Sequence, residues 1–314
     1  MATLGAGGLI PSKSTEVVME SEDLRISVRQ IDVNYIFRNA TNHDVDAIIA
    51  FPLPPLHGAT IEHVPISIPS KDPVNFMAFA VSVDGRPVSP EVELRAFNDG
   101  KDITAQLTGL GLPVSVLDPQ LAVAISKLGT KQRKKLETDS LIGDEEIQGG
   151  VNAKVEHHIW ASWETRIQFY WSQHFPAGST LHVSHSYRPI VGGSYIVRSD
   201  DGNFSVKPYC GGPETLAQIR DLKTKLGKKN DSGVDLLERR IQYILTTGNN
   251  WSGPIRNFHL QIVKDKPEDI LTTCFPGVRR TSDTTYELSR TNFHPDSELS
   301  LLILEPYKST TGPD

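Results

Sequence analysis

Two neighbouring segments in the middle of the chain alternate between apolar and polar residues with a period of two. In residues 165–171, Ile167, Phe169 and Trp171 occupy every second position, and residues 181–187 repeat the pattern. Successive side chains of a β-strand point to opposite faces of its sheet. The alternation therefore predicts two strands that each bury one face and expose the other.

Shorter runs of the same kind fill the first third of the chain. Residues 32–39 and 45–51 predict a hairpin, and strands are also predicted at 59–68, 76–83 and 88–97. Turn residues separate these runs, and many short strands joined by turns are typical of a β-sandwich. The fold is accordingly predicted to be mostly β.

Two regions with helical spacing interrupt the strands. In the first, Ile103, Leu107 and Leu110 recur at helical intervals, and in the second the spacing predicts helices over 213–226 and 234–245. We therefore expect two β-sandwich-like lobes at residues 9–98 and 151–308, helical insertions at about 99–150 and 213–247, and a disordered tail at 309–314.

Residues 155–188 are rich in aromatic and histidine side chains. Large rings fill sandwich cores, which favours a structural role, but exposed rings could instead stack on a carbohydrate or another ligand. A metal site is the weakest of the three interpretations, because a strand would send residues three apart, such as His182 and His185, to opposite faces. The candidate ligand-binding residues are Trp160, Trp163, Tyr170, His182, His185 and Tyr187.

Composition excludes several classes of protein. The chain has 314 residues and a net charge of −6 with mixed signs, which argues against a nucleic-acid-binding protein. It contains no run of 18 or more apolar residues, so no membrane span is expected within it. Two cysteines are too few for a disulfide-rich scaffold or a four-cysteine zinc site.

Common catalytic signatures are missing from the sequence. There is no Gly-x-Ser-x-Gly elbow, no His-Glu-x-x-His helix and no Gly-x-x-x-x-Gly-Lys-Ser/Thr loop. No catalytic residue, cofactor or metal is therefore expected.

Segments along nearly the whole chain resemble the bacterial family catalogued as domain of unknown function 4424. They are residues 4–9 and 19–27, Tyr35-x-Phe37-x-Asn39, 50–54, 169–171, 175–178, Tyr187-x-Pro189-x-Val191-Gly192-Gly193, Tyr209-Cys210, 243–255 and the surroundings of Cys274. The Thr-Thr-Gly…Trp…Gly-Pro-Ile pattern within 246–255 is the most specific. Members of this family usually carry a signal peptide, so the resemblance implies export, but it implies no activity.

The two cysteines lie in segments that take part in this resemblance. If the protein is exported, a disulfide between Cys210 and Cys274 is expected, and by the chain-entropy model it contributes roughly 4 kcal/mol. The alternative is two unrelated thiols, each buried as a small apolar group.

Localisation is expected to be periplasmic or secreted. Residues 1–8 contain neither a basic nor an apolar segment of a signal peptide, which fits either a cytoplasmic protein or an exported one whose signal was removed. The leading hypothesis is an exported, non-enzymatic β-sandwich protein that binds a protein partner or an envelope ligand. The alternative is a hydrolase of a cell-envelope polymer that uses the aromatic residues of 160–187 as a substrate platform.

Overall fold

The structure is a computed structural model, and it describes residues 2–5, 8–63, 66–148, 155–197, 201–226 and 234–307. The predicted disordered tail at 309–314 lies outside these residues. Strands dominate the described part of the chain, which confirms the mostly β fold. None of the described helices is long and apolar enough to cross a membrane.

The strands and helices are numbered in chain order. The strands are β1 (Ala2–Gly5), β2 (Gly8–Pro11), β3 (Val17–Ser27), β4 (Ile31–Asn39), β5 (Val45–Pro52), β6 (Leu56–His57), β7 (Ile66–Ser67), β8 (Ala80–Val83), β9 (Arg86–Val88), β10 (Glu91–Asn98), β11 (Lys101–Asp102), β12 (Ile142–Gln148), β13 (Val155–Ala161), β14 (Glu164–Phe175), β15 (Thr180–Tyr187), β16 (Val191–Gly192), β17 (Tyr195–Val197), β18 (Val234–Tyr243), β19 (Ile255–Val263), β20 (Ile270–Thr273), β21 (Arg279–Arg280), β22 (Thr285–Phe293) and β23 (Leu299–Pro306). The helices are α1 (Gly58–His63), α2 (Thr104–Gly109), α3 (Leu121–Ser126), α4 (Thr130–Thr138), α5 (Asn203–Val206) and α6 (Pro213–Leu226), with 3₁₀ turns at Lys207–Tyr209 and Thr246–Asn250.

Two large sheets face each other across the main apolar core. The first has the strand order β11-β10-β14-β5-β1-β2, with β6 beside β14, and the second has the order β21-β22-β19-β3-β4-β15-β8-β9. Rings meet between the sheets, with centroid distances of 6.4 Å between Phe37 and Phe175 and 4.3 Å between Phe51 and His185. The odd-numbered residues of 167–171 and 181–187 point into this core, as the alternation predicts.

Each large sheet takes strands from both predicted lobes. In the first sheet β5 pairs with β14, and in the second β3 pairs in parallel with β19. Hydrogen bonding between strands therefore crosses the boundaries expected at residues 98 and 150.

A third sheet, with the order β20-β23-β18-β16-β7 and β17 beside β18, has apolar layers on both faces. On one face Tyr243 and Leu301 belong to the main core, and on the other Leu302 and Leu304 pack in a layer with Ile219 of α6. A strand that is buried on both faces needs a continuous apolar run, which Leu301–Leu304 supplies.

The predicted helical insertion at 213–247 is correct only in its first half. Helix α6 covers 213–226, but the segment predicted as a helix over 234–245 forms strand β18. Leu237, Ile241 and Ile244 have helical spacing, yet β18 is hydrogen-bonded to β23 on one side and to β16 and β17 on the other. Tertiary pairing outweighs the local pattern here.

The other predicted insertion, at about 99–150, contains helices α2, α3 and α4 but ends in strand β12, which forms a separate hairpin sheet with β13. These helices pack around Trp163 in their own apolar cluster. The strand predicted at 59–68 is also wrong, since α1 and the short β7 occupy most of it. Short apolar runs do not distinguish a strand from a helix by periodicity alone.

Candidate functional site

The six candidate ligand-binding residues do not form one exposed surface. Trp163 is fully buried among the helices, where its Nε1 donates a hydrogen bond to the carbonyl oxygen of Val114 (2.9 Å). Trp160 is half-buried on β13, away from the large sheets. Among the described residues, the rings of this segment pack in different layers and do not share one exposed surface, which disfavours the substrate platform of the hydrolase hypothesis.

The remaining candidates divide between the two faces of their strands. On the outer faces, Tyr170 donates a hydrogen bond to Oε2 of Glu91 (2.7 Å), and His182 is exposed. His185 and Tyr187 point inward and are buried in the main core. Only His185 of the six lines the cavity described next.

A partly enclosed cavity lies between the two large sheets, beside the 3₁₀ turn Thr246–Asn250. About 50 Å³ of it is accessible to the centre of a water molecule. A volume of roughly 10–15 Å³ on this measure holds one water, so the cavity has room for several waters or a compact organic group. We call this space the inter-sheet cavity.

Aromatic rings form much of the wall of the inter-sheet cavity. They belong to Tyr35, Phe37, Phe51, Trp171 and Trp251. Phe37 lies 4.2 Å from Trp251 and 5.4 Å from Tyr35 between ring centroids. These rings come from β4, β5, β14 and the residue after the 3₁₀ turn, so both large sheets contribute to the wall.

A β-bulge in β3 aims a carboxyl group into the cavity. Met19 pairs with Phe37 and Ser21 with Ile36, so Glu20 is an extra residue in the ladder. The extra residue reverses the alternation, so that Glu22, rather than Ser21, follows Met19 on the inner face. Glu22 is 3% exposed.

Two tyrosine hydroxyls accompany this carboxyl group. Tyr243 donates a hydrogen bond to Oε1 of Glu22 (3.3 Å), and its hydroxyl lies 3.1 Å from that of Tyr35. Burial raises the pKa of Glu22 to about 8, although the hydrogen bond from Tyr243 opposes the shift. Burial also raises the pKa values of Tyr35 and Tyr243. All three groups are therefore largely uncharged at neutral pH.

His185 is the basic residue in the cavity wall. It is 5% exposed, and its Nε2 atom has no hydrogen-bond partner among the described residues. Its ring packs against Tyr35 and Phe51, with centroid distances of 5.3 and 4.3 Å. Burial lowers the pKa of His185 to about 3, so the imidazole is neutral at pH 7.

The 3₁₀ turn is fixed where it borders the cavity. The side chain of Asn249 donates a hydrogen bond to the carbonyl oxygen of Pro295 (2.6 Å), and the carboxylate of Glu298 accepts hydrogen bonds from Thr246. A Cβ atom on Gly248 would lie 2.9 Å from Cδ1 of Ile255, so glycine allows this close approach. The half-buried Thr247 and Asn250 of this turn line the cavity.

The two cysteines lie on the other side of the third sheet. Cys210 and Cys274 form a disulfide, which confirms the expected pairing. The bond links the segment between α5 and α6 to the residue that follows β20. It therefore fastens the helical layer to the edge of the third sheet.

A family model described as Domain of unknown function (DUF4424) matches residues 1–302. The chain belongs to this family. No curated protein matches the sequence. Among solved structures, this DUF4424 chain is similar to a crystal structure from Legionella pneumophila subsp. pneumophila described as "a putative nutrient binding protein". The identity is 15%, the match covers 94% of this chain and 68% of the other, and the TM-score is 0.44.

Five of the ten segments that carry the DUF4424 resemblance meet at the inter-sheet cavity. Residues 19–27, 35–39, 50–54, 169–171 and 243–255 each contribute side chains to its wall. They are far apart in the sequence and belong to different strands, so the fold brings them together.

Sequence reasoning missed two polar residues of this site. Glu22 lies in one of the family segments, but its inward direction depends on the bulge at Glu20, which the sequence does not reveal. Tyr243 lies in a segment whose spacing predicts a helix, and a helix there gives no sign of its contact with Glu22. An acidic residue within an otherwise apolar strand face was the available signal for Glu22, but alternation alone cannot locate a bulge.

Proposed function

We propose that this protein is an exported, non-enzymatic binding protein that holds a small organic ligand in the inter-sheet cavity. The observation that carries the proposal is a partly enclosed, ring-lined space with two buried polar side chains, Glu22 and His185, in its wall, where Nε2 of His185 has no hydrogen-bond partner among the described residues. Small-molecule sites are typically apolar concavities with a few convergent polar groups.

The unpaired nitrogen of His185 supports this interpretation. Leaving a buried polar atom without a hydrogen bond costs roughly 1–3 kcal/mol, so native proteins rarely keep one without a reason. A ligand or ordered water that bonds to the polar wall would recover part of this cost. The rings beside it would provide the apolar contact.

The proposed export rests on chemistry rather than on the cavity. The disulfide between Cys210 and Cys274 is of the kind that persists in oxidising compartments such as the periplasm or the exterior of the cell. The family resemblance points in the same direction. Cell fractionation of the native producer, with immunodetection of the protein, tests this part separately.

Binding is tested with small probes of different charge. Phenol, tert-butanol, tetramethylammonium and acetate are titrated against the protein and followed by calorimetry and by tryptophan fluorescence, since Trp171 and Trp251 line the cavity. At least one probe is expected to bind and to raise the unfolding temperature by mass action. If none of the four binds, the proposal is wrong.

A cavity-filling substitution locates the binding site. Val183→Phe extends a ring into the cavity from β15 and should abolish probe binding with little loss of stability, because the space is already present. Val33→Phe is the matched control, since Val33 is fully buried on the neighbouring strand but does not line the cavity. It should destabilise the fold by about 1–3 kcal/mol through overpacking. Equal probe affinity for Val183→Phe and the wild type would place the site elsewhere.

A further inference from the structure

Within the described residues, the acidic group of the inter-sheet cavity has no positively charged partner, since the His185 imidazole is neutral. Glu22 contacts the hydroxyl of Tyr243, and no lysine or arginine lines the cavity within the described residues. A buried carboxyl group without a compensating charge is costly, so its placement by a dedicated bulge calls for an explanation.

Another buried carboxyl group of the same chain does have a basic partner. Glu238 on β18 is 1% exposed, and its carboxylate forms an ion pair with Arg240. The cavity offers a carboxyl group and aromatic faces, but the cation that would complete the pair is missing from its wall.

We infer that the ligand of the inter-sheet cavity is a small organic cation of the alkylammonium class, held between the aromatic rings with its charge facing Glu22. This inference rests on the proposed binding function and names its ligand class. Aromatic faces attract cations within about 6 Å of the ring centroid, and cages of such rings recognise quaternary ammonium groups.

Other ligand charges fit this wall less well. An anion would meet no positive group, because the imidazole of His185 is neutral and points into the same buried space. A hard metal ion needs several oxygen ligands, whereas the described wall offers one carboxyl group among mostly apolar rings. An uncharged ligand would leave the carboxyl group unexplained.

Binding of such a cation is coupled to release of a proton. The titratable groups around Glu22 are Tyr243 on β18, Tyr35 on β4 and His185 on β15, and Tyr187 interacts electrostatically with both tyrosines. These remain neutral between pH 6 and pH 8, since burial raises the pKa values of the tyrosines and lowers that of His185 to about 3. The carboxyl group, whose pKa is about 8 without ligand, must therefore ionise when the cation arrives.

The linkage sets a quantitative expectation. Only the ionised form of Glu22 binds the cation well, and its fraction rises by about 50-fold between pH 6 and pH 8 for a pKa of about 8. The apparent affinity for the cation should rise by the same factor and level off above pH 8. An uncharged ligand should show no such dependence.

The test compares tetramethylammonium with tert-butanol, an uncharged molecule of similar shape, by calorimetry at pH 6, 7, 8 and 9. Tetramethylammonium is expected to bind more tightly than tert-butanol, with the rise in affinity given above and with release of a proton. Glu22→Gln should remove the pH dependence and weaken cation binding by roughly tenfold or more at pH 8. Glu20→Gln is the matched control on the outer face of β3, where Glu20 pairs with Arg38 and Arg256, and it should leave the affinity unchanged.

The outcomes separate the two proposals. If phenol, tert-butanol or acetate binds and Val183→Phe abolishes that binding, but tetramethylammonium does not bind, the binding function stands and the cationic ligand is wrong. Cation affinity that is equal in Glu22→Gln and the wild type also overturns the inference. The unfolding temperature of Glu22→Gln, measured in parallel, confirms that the variant is folded.

Discussion

The third sheet separates two apolar layers, and each layer contains a buried glutamate. The two glutamates differ in whether an arginine pairs with them. Toward α6, Glu238 is neutralised within the chain by Arg240. Toward the large sheets, Glu22 of β3 accepts a hydrogen bond from Tyr243, which lies on β18 like Glu238, and no lysine or arginine of the described residues lines its cavity. The carboxyl group of Glu238 is thus used in an ion pair within the chain, whereas that of Glu22 is free to pair with a bound cation.

The disulfide bond also lies in only one of these two layers. The disulfide lies beside α6, at the edge of the third sheet, whereas the inter-sheet cavity depends on packing and hydrogen bonds. The layer around α6 is thus fastened, and the layer around the cavity keeps space that a ligand could use. Substitutions on each side should therefore have effects of different size and sign.

Loss of the disulfide should have the largest effect on stability. Replacing Cys210 and Cys274 together with serine opens a loop with a sequence separation of 64 residues and should lower the free energy of unfolding by roughly 4 kcal/mol. Urea denaturation measures this change. Probe binding to the folded variant should persist, because neither cysteine lines the cavity. A variant as stable as the wild type would show that the layer around α6 does not need this bond.

The next effect concerns Glu22 and depends on pH. Its folded-state pKa of about 8 lies above the usual 4.5, so the folded protein holds more protons than the unfolded chain between these values. The free energy of unfolding therefore falls as pH rises through this window, by on the order of 3 kcal/mol at pH 7. Glu22→Gln removes this loss, and it should stabilise the protein at pH 7 but not at pH 4. If the difference in unfolding temperature between the variant and the wild type is the same at pH 4 and pH 7, the burial of this carboxyl group is contradicted.

The same substitution in the other layer should have the opposite sign. Glu238→Gln removes the buried member of a pair whose arginine is partly exposed, and it should destabilise the protein by about 2 kcal/mol at pH 7. Glu305→Gln serves as the control, because Glu305 is more exposed than Glu238 and its pair with Arg239 should contribute within about 1 kcal/mol. Chemical denaturation at pH 7 ranks the three glutamine variants. Stabilisation by Glu238→Gln would erase the contrast between the layers.

The smallest effect concerns His185 in acid. Its folded-state pKa of about 3 lies below the usual 6.5, so the stability it contributes is present above pH 6.5 and is lost as pH falls toward 3. His185→Phe removes both the unpaired nitrogen and the titrating group, so it should be more stable than the wild type at pH 8, and by about 1 kcal/mol more again at pH 5.5. Thermal unfolding at both pH values measures this. An equal gain at both would show that protonation of His185 does not contribute.

Local alternation was sufficient to predict much of the main core. It placed Phe169 and Trp171 on one face of 165–171 and Val183 and His185 on one face of 181–187, and the structure buries both faces. Whether these faces are core or surface was left open by the sequence. The period of two is a property of the strand itself, so it can be derived without knowing the partners. The pairing of Cys210 with Cys274 was also anticipated, although through the family resemblance.

The candidate site itself depended on relations that no single segment contains. The inward direction of Glu22 follows from one extra residue in β3 relative to β4. Tyr243 reaches Glu22 because β18 is a strand, and its apolar residues match a helix equally well when pairing is unknown. The cavity joins pieces of several strands, and their neighbours are set by the pairing of the sheets rather than by periodicity.

The parallel pairing of β3 with β19 has a consequence for the order of events in the cell. Glu20 and Arg256, at the start of this pairing, are 236 residues apart in sequence. The second sheet cannot close at its centre until most of the chain has left the ribosome, and such distant contacts slow folding. The inter-sheet cavity, whose wall includes both Met19 and Trp251, therefore forms late in folding, only after residues from the two ends of the sequence have met.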